Sequence, residues 1–284
     1  MIIQSIVQSV FQPIARSVID PIIISQGFSP KSLFTSGEQG AWYDPSDLST
    51  MFQDAAGTTP VTSAGQPVGL MRDKSGRGNH ASQATSASRP ILRNSGALWW
   101  LEFDGVDDFL ATASIDLTST FRVAAFVGAK KNSDAATSII VELSASATAN
   151  NGAFYLAGPQ GAGLHNYAAV LRGTTETGSA LSTYTAPSTN ILSVDFDISK
   201  ATRLTEIVPR VDGLTPSRSN VGAADDAGTG NFGNYPLYIC RRGGTTLPFG
   251  GNLYGLIVRG ASTDVIGVAK AEKYMSAKSG VILK

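Results

Sequence analysis

The sequence predicts an all-β protein built of two packed antiparallel sheets, and three observations carry that expectation. Short apolar runs succeed one another between residues 99 and 259, several of them alternating apolar with polar. Turn-forming residues bound nearly all of these runs, and the chain holds 30 Gly and 13 Pro scattered among Ser, Thr and Ala. No helical pattern intervenes between one run and the next, as it would in an alternating α/β chain.

The elements follow in chain order. Residues 2–24 (IIQSIVQSVFQPIARSVIDPIII) differ from everything after them. At ~100° per residue, Ile3, Ile6, Val7, Val10, Phe11, Ile14 and Val18, with Ile2 and Ile22, cover more than half of a helical wheel. Ser5, Gln8, Ser9, Gln12, Arg16 and Asp20 fill the remainder. Pro13 kinks this amphipathic helix and Pro21 ends it. A signal peptide would need basic residues before Arg16 and a small-residue cleavage site, and a membrane span about 20 unbroken apolar residues. A packing helix fits better, docked on its own domain or on copies of itself. So wide an apolar face favours a homo-oligomer, a trimer among the options, or docking into a larger assembly.

Residues 25–40 read as a Gly/Ser/Pro linker, and 41–284 as one β domain. Its strands are expected at 99–103, 108–112, 121–129, 138–144, 153–157, 166–172, 190–197, 204–211, 236–241 and 252–259. A short helix is expected at 264–278, capped by Asp264 and closed by Gly280.

Lys+Arg and Asp+Glu are both 22, so the net charge is zero and phosphate neutralisation of a nucleic acid is disfavoured. A single cysteine, Cys240, excludes an intramolecular disulfide and a cysteine-built zinc cage. It falls in an apolar run and reads as a small buried hydrophobe. His80 and His165 lie in Gly-rich loops with no nucleophile motif nearby. The carboxylates expected on strands are Glu142, Asp195, Asp197, Glu206 and Asp212. Asp195 and Asp197, two apart, share a strand face, but no Glu joins them at a spacing suited to glycan hydrolysis, so they are expected to face solvent. The expectation is a non-enzyme with no catalytic residue, cofactor or metal.

Binding residues are expected in loops. The stretch 217–235 is the longest irregular one and carries Asp225, Asp226, Asn231, Phe232, Asn234 and Tyr235. The second is 157–166, with His165. Trp42, Tyr43, Tyr167 and Tyr184 are further aromatic candidates. Trp42, Trp99 and Trp100 read as core or interface packing.

Four segments together resemble the concanavalin A-like, laminin-G-type jelly-roll superfamily, in the version found in bacteriophage virion proteins. They are Leu101–Leu110 (LEFDGVDDFL), Phe121–Val127 (FRVAAFV), Pro209–Gly213 (PRVDG) and Phe249–Val258 (FGGNLYGLIV), and the lead-ins around Trp42 and Asp73–Ala81 are similar to those of phage tail proteins. In Phe103–Asp108 the residues read as turn chemistry: Phe103 and Val106 or Phe109 inward, Asp104-Gly105 turning, Asp107 and Asp108 accepting amides, with calcium as the alternative. Asp73 is expected to pair with Lys74 or Arg77 at the surface. The resemblance implies a jelly-roll sandwich on a virion, in a tail, baseplate or fibre position, contacting host-surface polysaccharide and other virion proteins. A capsid decoration or tail cement role is the rival, and a glycan hydrolase the third reading.

Overall fold

The computed structural model describes residues 27–284 except Ala223. The expected amphipathic helix, with Ile3, Ile6, Val7, Val10, Phe11, Ile14 and Val18, lies outside the described residues.

Two antiparallel sheets form a sandwich; strands are numbered in chain order. The first sheet runs β14 (Ile207–Val211), β13 (Ser188–Asp197), β8 (Arg122–Lys131), β17 (Gly250–Arg259), β6 (Leu98–Asp104) and β5 (Ile91–Ser95), with β1 (Gly40–Tyr43) also on β17. The second runs β15 (Ser217–Val221), β12 (Glu176–Ser182), β11 (Asn166–Arg172), β10 (Ala153–Ala157), β9 (Ile139–Leu143), β16 (Asn234–Ile239) and β7 (Leu110–Asp116). It closes with the short β4 (Ala81–Ser82), β3 (Leu70–Met71) and β2 (Met51–Phe52).

The strands form where β-branched and aromatic residues suit a pleated, buried surface. Val123, Ala125, Val127 and Ala129 of β8 face the core between the sheets, against Phe154 and Leu156 of β10. Yet β8 is apolar throughout, because its other face is covered as well. Ala124 and Phe126 pack under the C-terminal helix α2 (Val265–Ser279; the one-turn α1 is Arg203–Glu206). A strand buried on both faces reads as a continuous run, not an alternation. The oxygen Oδ1 of Asp264 accepts the Gly267 amide at 2.7 Å, and Gly280 closes α2 with φ 75°, both as expected.

Several expectations need correction. The stretch read as a linker is partly body: Pro30–Phe34 forms a 3₁₀ turn, and Leu33 and Phe34 are buried beside Trp42 and α2. Residues 204–206 are helical, and the strand begins at Ile207. The long irregular stretch starts as β15, so the true connection is 222–233. β12 (ETGSALS) was missed because small polar residues carry no apolar period; Gly178 is required there, since a Cβ would lie 2.8 Å from Val170 and 3.1 Å from Val221.

Asp44 ties α2 to the sandwich. Its carboxylate receives Lys74 Nζ at 3.1 Å, Lys278 Nζ at 3.0 Å and the Tyr274 hydroxyl at 2.9 Å. Burial alone would raise this carboxyl; the Ser46 hydroxyl, Lys278 and Lys74 outweigh it and hold it at about 2. Asp73 pairs with neither Lys74 nor Arg77. It accepts the Trp42, Ser75 and Asn79 amides, while Lys74 reaches Asp44 and Asp47 and Arg77 donates to the Phe34 carbonyl. Among the described residues no helix is long and apolar enough to cross a membrane.

Candidate functional site

Four connections cross between the sheets at one end of the sandwich: 105–109, 132–138, 183–187 and 240–249. The pairings Gly250 with Asp104, Gly251 with Lys131, and Ser188 with Lys131 bring their roots together. The 158–165 hairpin joins them, since Ala157 pairs with Ile139 at the same end.

Between the 105–109 and 132–138 connections lies a groove of about 670 Å³. Arg93, Glu102, Asp104, Asp108, Asn132 and Ser138 supply its polar wall, over Ile91 and Pro248. Arg93 Nε donates to Glu102 at 2.7 Å across β5 and β6, with both side chains nearly half exposed. The 104–108 turn is held by its own carboxylates. Asp104 Oδ1 accepts the amides of Val106 and Asp107 at 2.7 and 3.2 Å, and Asp108 Oδ2 accepts the Asp104 amide at 3.0 Å. Gly105 takes φ 76°, and a Cβ there would meet the Gly250 backbone at 3.0 Å. Phe103 points inward as expected, but Val106, at the tip of the turn, is 67% exposed.

Asp104, Asp107 and Asp108 place one oxygen each within 4.8 Å of one another, the one such group of three among the described residues. These are the residues that could hold a cation. Calcium needs six to eight oxygens, and each carboxylate already commits one: to the turn amides, to the Ser88 hydroxyl at 2.5 Å, and to the Asp104 amide. Burial pushes the Asp108 carboxyl up to about 6, with Asp104, Asp107 and Glu102 adding negative charge and the Asp104 amide opposing.

On the far side of the 132–138 connection, Lys131 is fully buried. Its Nζ donates to Asp134 Oδ1 at 2.5 Å and to the Asn166 carbonyl at 3.0 Å, and lies 4.9 Å from the Tyr167 ring centre. Asp134 Oδ2 accepts the Ala186 amide at 2.7 Å and contacts His165 Nδ1 at 2.8 Å. Burial lowers the Lys131 ammonium, and Asp134 opposes. Burial would raise Asp134; the Ala186 amide, Lys131 and His165 outweigh it and hold its carboxyl below the usual range. One carboxylate thus pins three connections.

The expected site residues are split between two ends. His165 stands at the groove end, on Asp134. Asp225, Asp226 and Asn231 belong to the 222–233 connection at the opposite end, with Asn234 and Tyr235 beginning β16 beside it. Asp225 pairs with Arg203 at 3.1 Å, Asn231 donates to the Thr118 carbonyl, and the Tyr235 hydroxyl donates to the Asn151 carbonyl. Phe232 is a correction: it is buried against Phe154 in the core, so its ring is not a platform for a ligand. Tyr43 and Tyr167 are buried too, and Trp42 packs edge-on against Tyr274. Asp195 and Asp197 share a face but do not stand free in solvent. Asp197 accepts Arg122 Nε at 2.9 Å and the Ser199 hydroxyl at 2.5 Å. Burial pushes Asp195 up to about 6, with Asp197 adding to the rise. Arg93, Glu102, Asn132 and Asp134 were not singled out from sequence. The Asp104–Asp108 motif signalled the neighbourhood, but nothing local marked which other loops would meet it.

No protein family description matches the chain, and no curated protein matches it. Solved structures do. Trypanosoma rangeli sialidase matches at TM-score 0.52 and 9% identity, covering 88% of this chain and 34% of that one. The Ruminococcus gnavus IT-sialidase CBM40 bound to α2,3-sialyllactose matches at TM-score 0.40 and 15% identity, covering 60% and 94%. The botulinum neurotoxin serotype G binding domain matches at TM-score 0.49 and 8% identity, covering 72% and 48%. The chain thus spans about a third of the length of the trypanosomal sialidase. At 9% identity the likeness to the trypanosomal sialidase is one of fold alone.

Proposed function

We propose that the chain is a non-enzymatic component of a bacteriophage particle, tail, baseplate or fibre, whose sandwich contacts host-surface glycans through the groove beside the 105–109 turn. Residues 1–24 hold it to copies of itself and to other virion proteins. The observation that carries the glycan contact is the groove. A guanidinium, carboxylates, an amide and a hydroxyl converge over an aliphatic floor, the mixture that matches ligands presenting many hydroxyls on a weakly apolar ring. The phage setting rests on the four sequence segments and their order. The non-enzymatic reading is supported by Asp197, whose oxygens are committed to Arg122 and Ser199.

A host-polysaccharide array probed with the full chain tests this. The double variant Arg93→Ala/Glu102→Ala is expected to lose binding about tenfold or more at unchanged folding. Binding to no polysaccharide would leave the cement role standing in its place, and release of new reducing ends would overturn the non-enzymatic reading. Separately, removing residues 1–24 is expected to turn an oligomer into a monomer in light scattering; an unchanged assembly state refutes that role.

A further inference from the structure

We propose a second saccharide subsite at the opposite end of the sandwich, where a neutral hexopyranose stacks on Phe121 beside the 226–230 stretch. It rests on the glycan reading above and adds a site that reading does not contain.

Residues 226–230 border a depression of about 430 Å³ lined by Phe121, Ile198, Ser199, Lys200, Asp226 and Thr229. That volume falls within the roughly 300–1,000 Å³ typical of small-ligand sites. Phe121 precedes β8 and is 39% exposed, while Ile198 beside it is buried and forms a floor. The Arg122 guanidinium lies 5.1 Å from the Phe121 ring centre and steadies the ring.

Both walls are tied down. On the ring side, the Phe121 carbonyl accepts the Ile198 amide at 3.0 Å, the Thr120 carbonyl accepts the Phe232 amide at 2.8 Å, and the Thr118 carbonyl accepts Asn231 Nδ2 at 2.7 Å. On the loop side, the Ala227 amide donates to both oxygens of Glu206 at 3.0 Å, and the Thr175 hydroxyl donates to the Asp226 carbonyl at 2.8 Å. A cleft preformed in this way spares a ligand the cost of ordering it.

The rim selects the ligand class. It offers one carboxylate, one ammonium and the Thr229 hydroxyl, while the Ser199 hydroxyl donates to Asp197, so it carries no net charge for an anion such as phosphate. Asp226 Oδ1 accepts the Gly228 amide at 2.6 Å and its carboxylate also meets the Glu206 carboxyl, so Asp226 holds the rim in shape. Lys200 Nζ stands 4.0 Å from Asp197, beyond hydrogen-bond length, so its donors remain to give. The apolar part is one ring, Ile198 and Ala201, too little for an acyl chain but matched to the C–H face of a single sugar ring.

The test uses the full chain titrated with lactose, maltotriose, chitotriose and mannotriose, reading the Ile198 methyl resonances by NMR and affinity by calorimetry. At least one probe is expected to shift Ile198. Phe121→Ala is expected to weaken that probe about tenfold, and Phe121→Trp to retain it. Ala201→Trp, at an exposed position, blocks the depression without removing the ring and decides the matter if Phe121→Ala fails to fold. The groove variant Arg93→Ala/Glu102→Ala is expected to leave the Ile198 shift intact. Saccharides that bind without shifting Ile198, and that are unaffected by Ala201→Trp, overturn this subsite while the glycan reading stands. Saccharides that bind nowhere overturn both.

Discussion

The two ends of the sandwich hold their loops in opposite ways. At the groove end a buried carboxylate, Asp134, is met by a buried ammonium, a histidine and a backbone amide, and its pKa is held down. At the far end Glu206, also buried, is met by the Ala227 amide and the Asp226 carboxylate, with Asp225 nearby; burial pushes its carboxyl up to about 7, and the two aspartates add to the rise. Arg203 precedes it on α1 but spends itself on Asp225, and Arg218 donates to the Ile207 and Leu204 carbonyls instead. The lesson is one of sign. A carboxyl lowered on folding stabilises the protein at neutral pH and loses that contribution in acid. A carboxyl raised on folding stabilises below its unfolded value and loses that contribution as pH rises through the folded one.

Breaking the groove-end pair gives the largest expected effect. Asp134→Ala leaves the Lys131 ammonium buried with the Asn166 carbonyl and the Tyr167 ring, and should cost about 3 kcal/mol in urea unfolding at pH 7. Lys131→Met should cost less, because Asp134 keeps the Ala186 amide and His165. Equal losses would mean that the pair is not what pins the three connections.

The far end gives an intermediate effect with a pH signature. Glu206→Gln keeps an acceptor for the Ala227 amide and removes the ionisation. The native chain should lose on the order of 2 kcal/mol between about pH 4.5 and 7.5 through this group, and the variant should not. The two proteins should therefore match near pH 4 and the variant should be the more stable at pH 8. Parallel pH profiles would remove Glu206 from the account.

The smallest effect sharpens the contrast between stability and binding. Arg93 and Glu102 are nearly half exposed, so their loss should change unfolding by less than about 0.5 kcal/mol while reducing saccharide binding. A large stability loss would make that pair structural.

How much of this was legible beforehand depends on whether the signal was local. All ten of the expected runs hold a strand because apolar periodicity and turn residues are properties of neighbouring residues, and Asp264 and Gly280 announced α2 in the same way. The Asp104–Asp108 turn was legible for that reason too. β12 was not, because Gly, Ser and Ala there suit close approach of β11 and β15 rather than burial of large side chains.

By itself, then, the sequence determined the β-sandwich class, the C-terminal helix and the carboxylate-locked turn, since each follows from contacts within a few residues. It took the packed fold to place Phe232 in the core and Phe121 at the surface, to bring Asp134 to His165 and Ala186, and to set the expected binding residues at two ends. Those outcomes depend on which loop crosses to which sheet, and pairings between residues 31 or 52 positions apart leave no trace in local pattern.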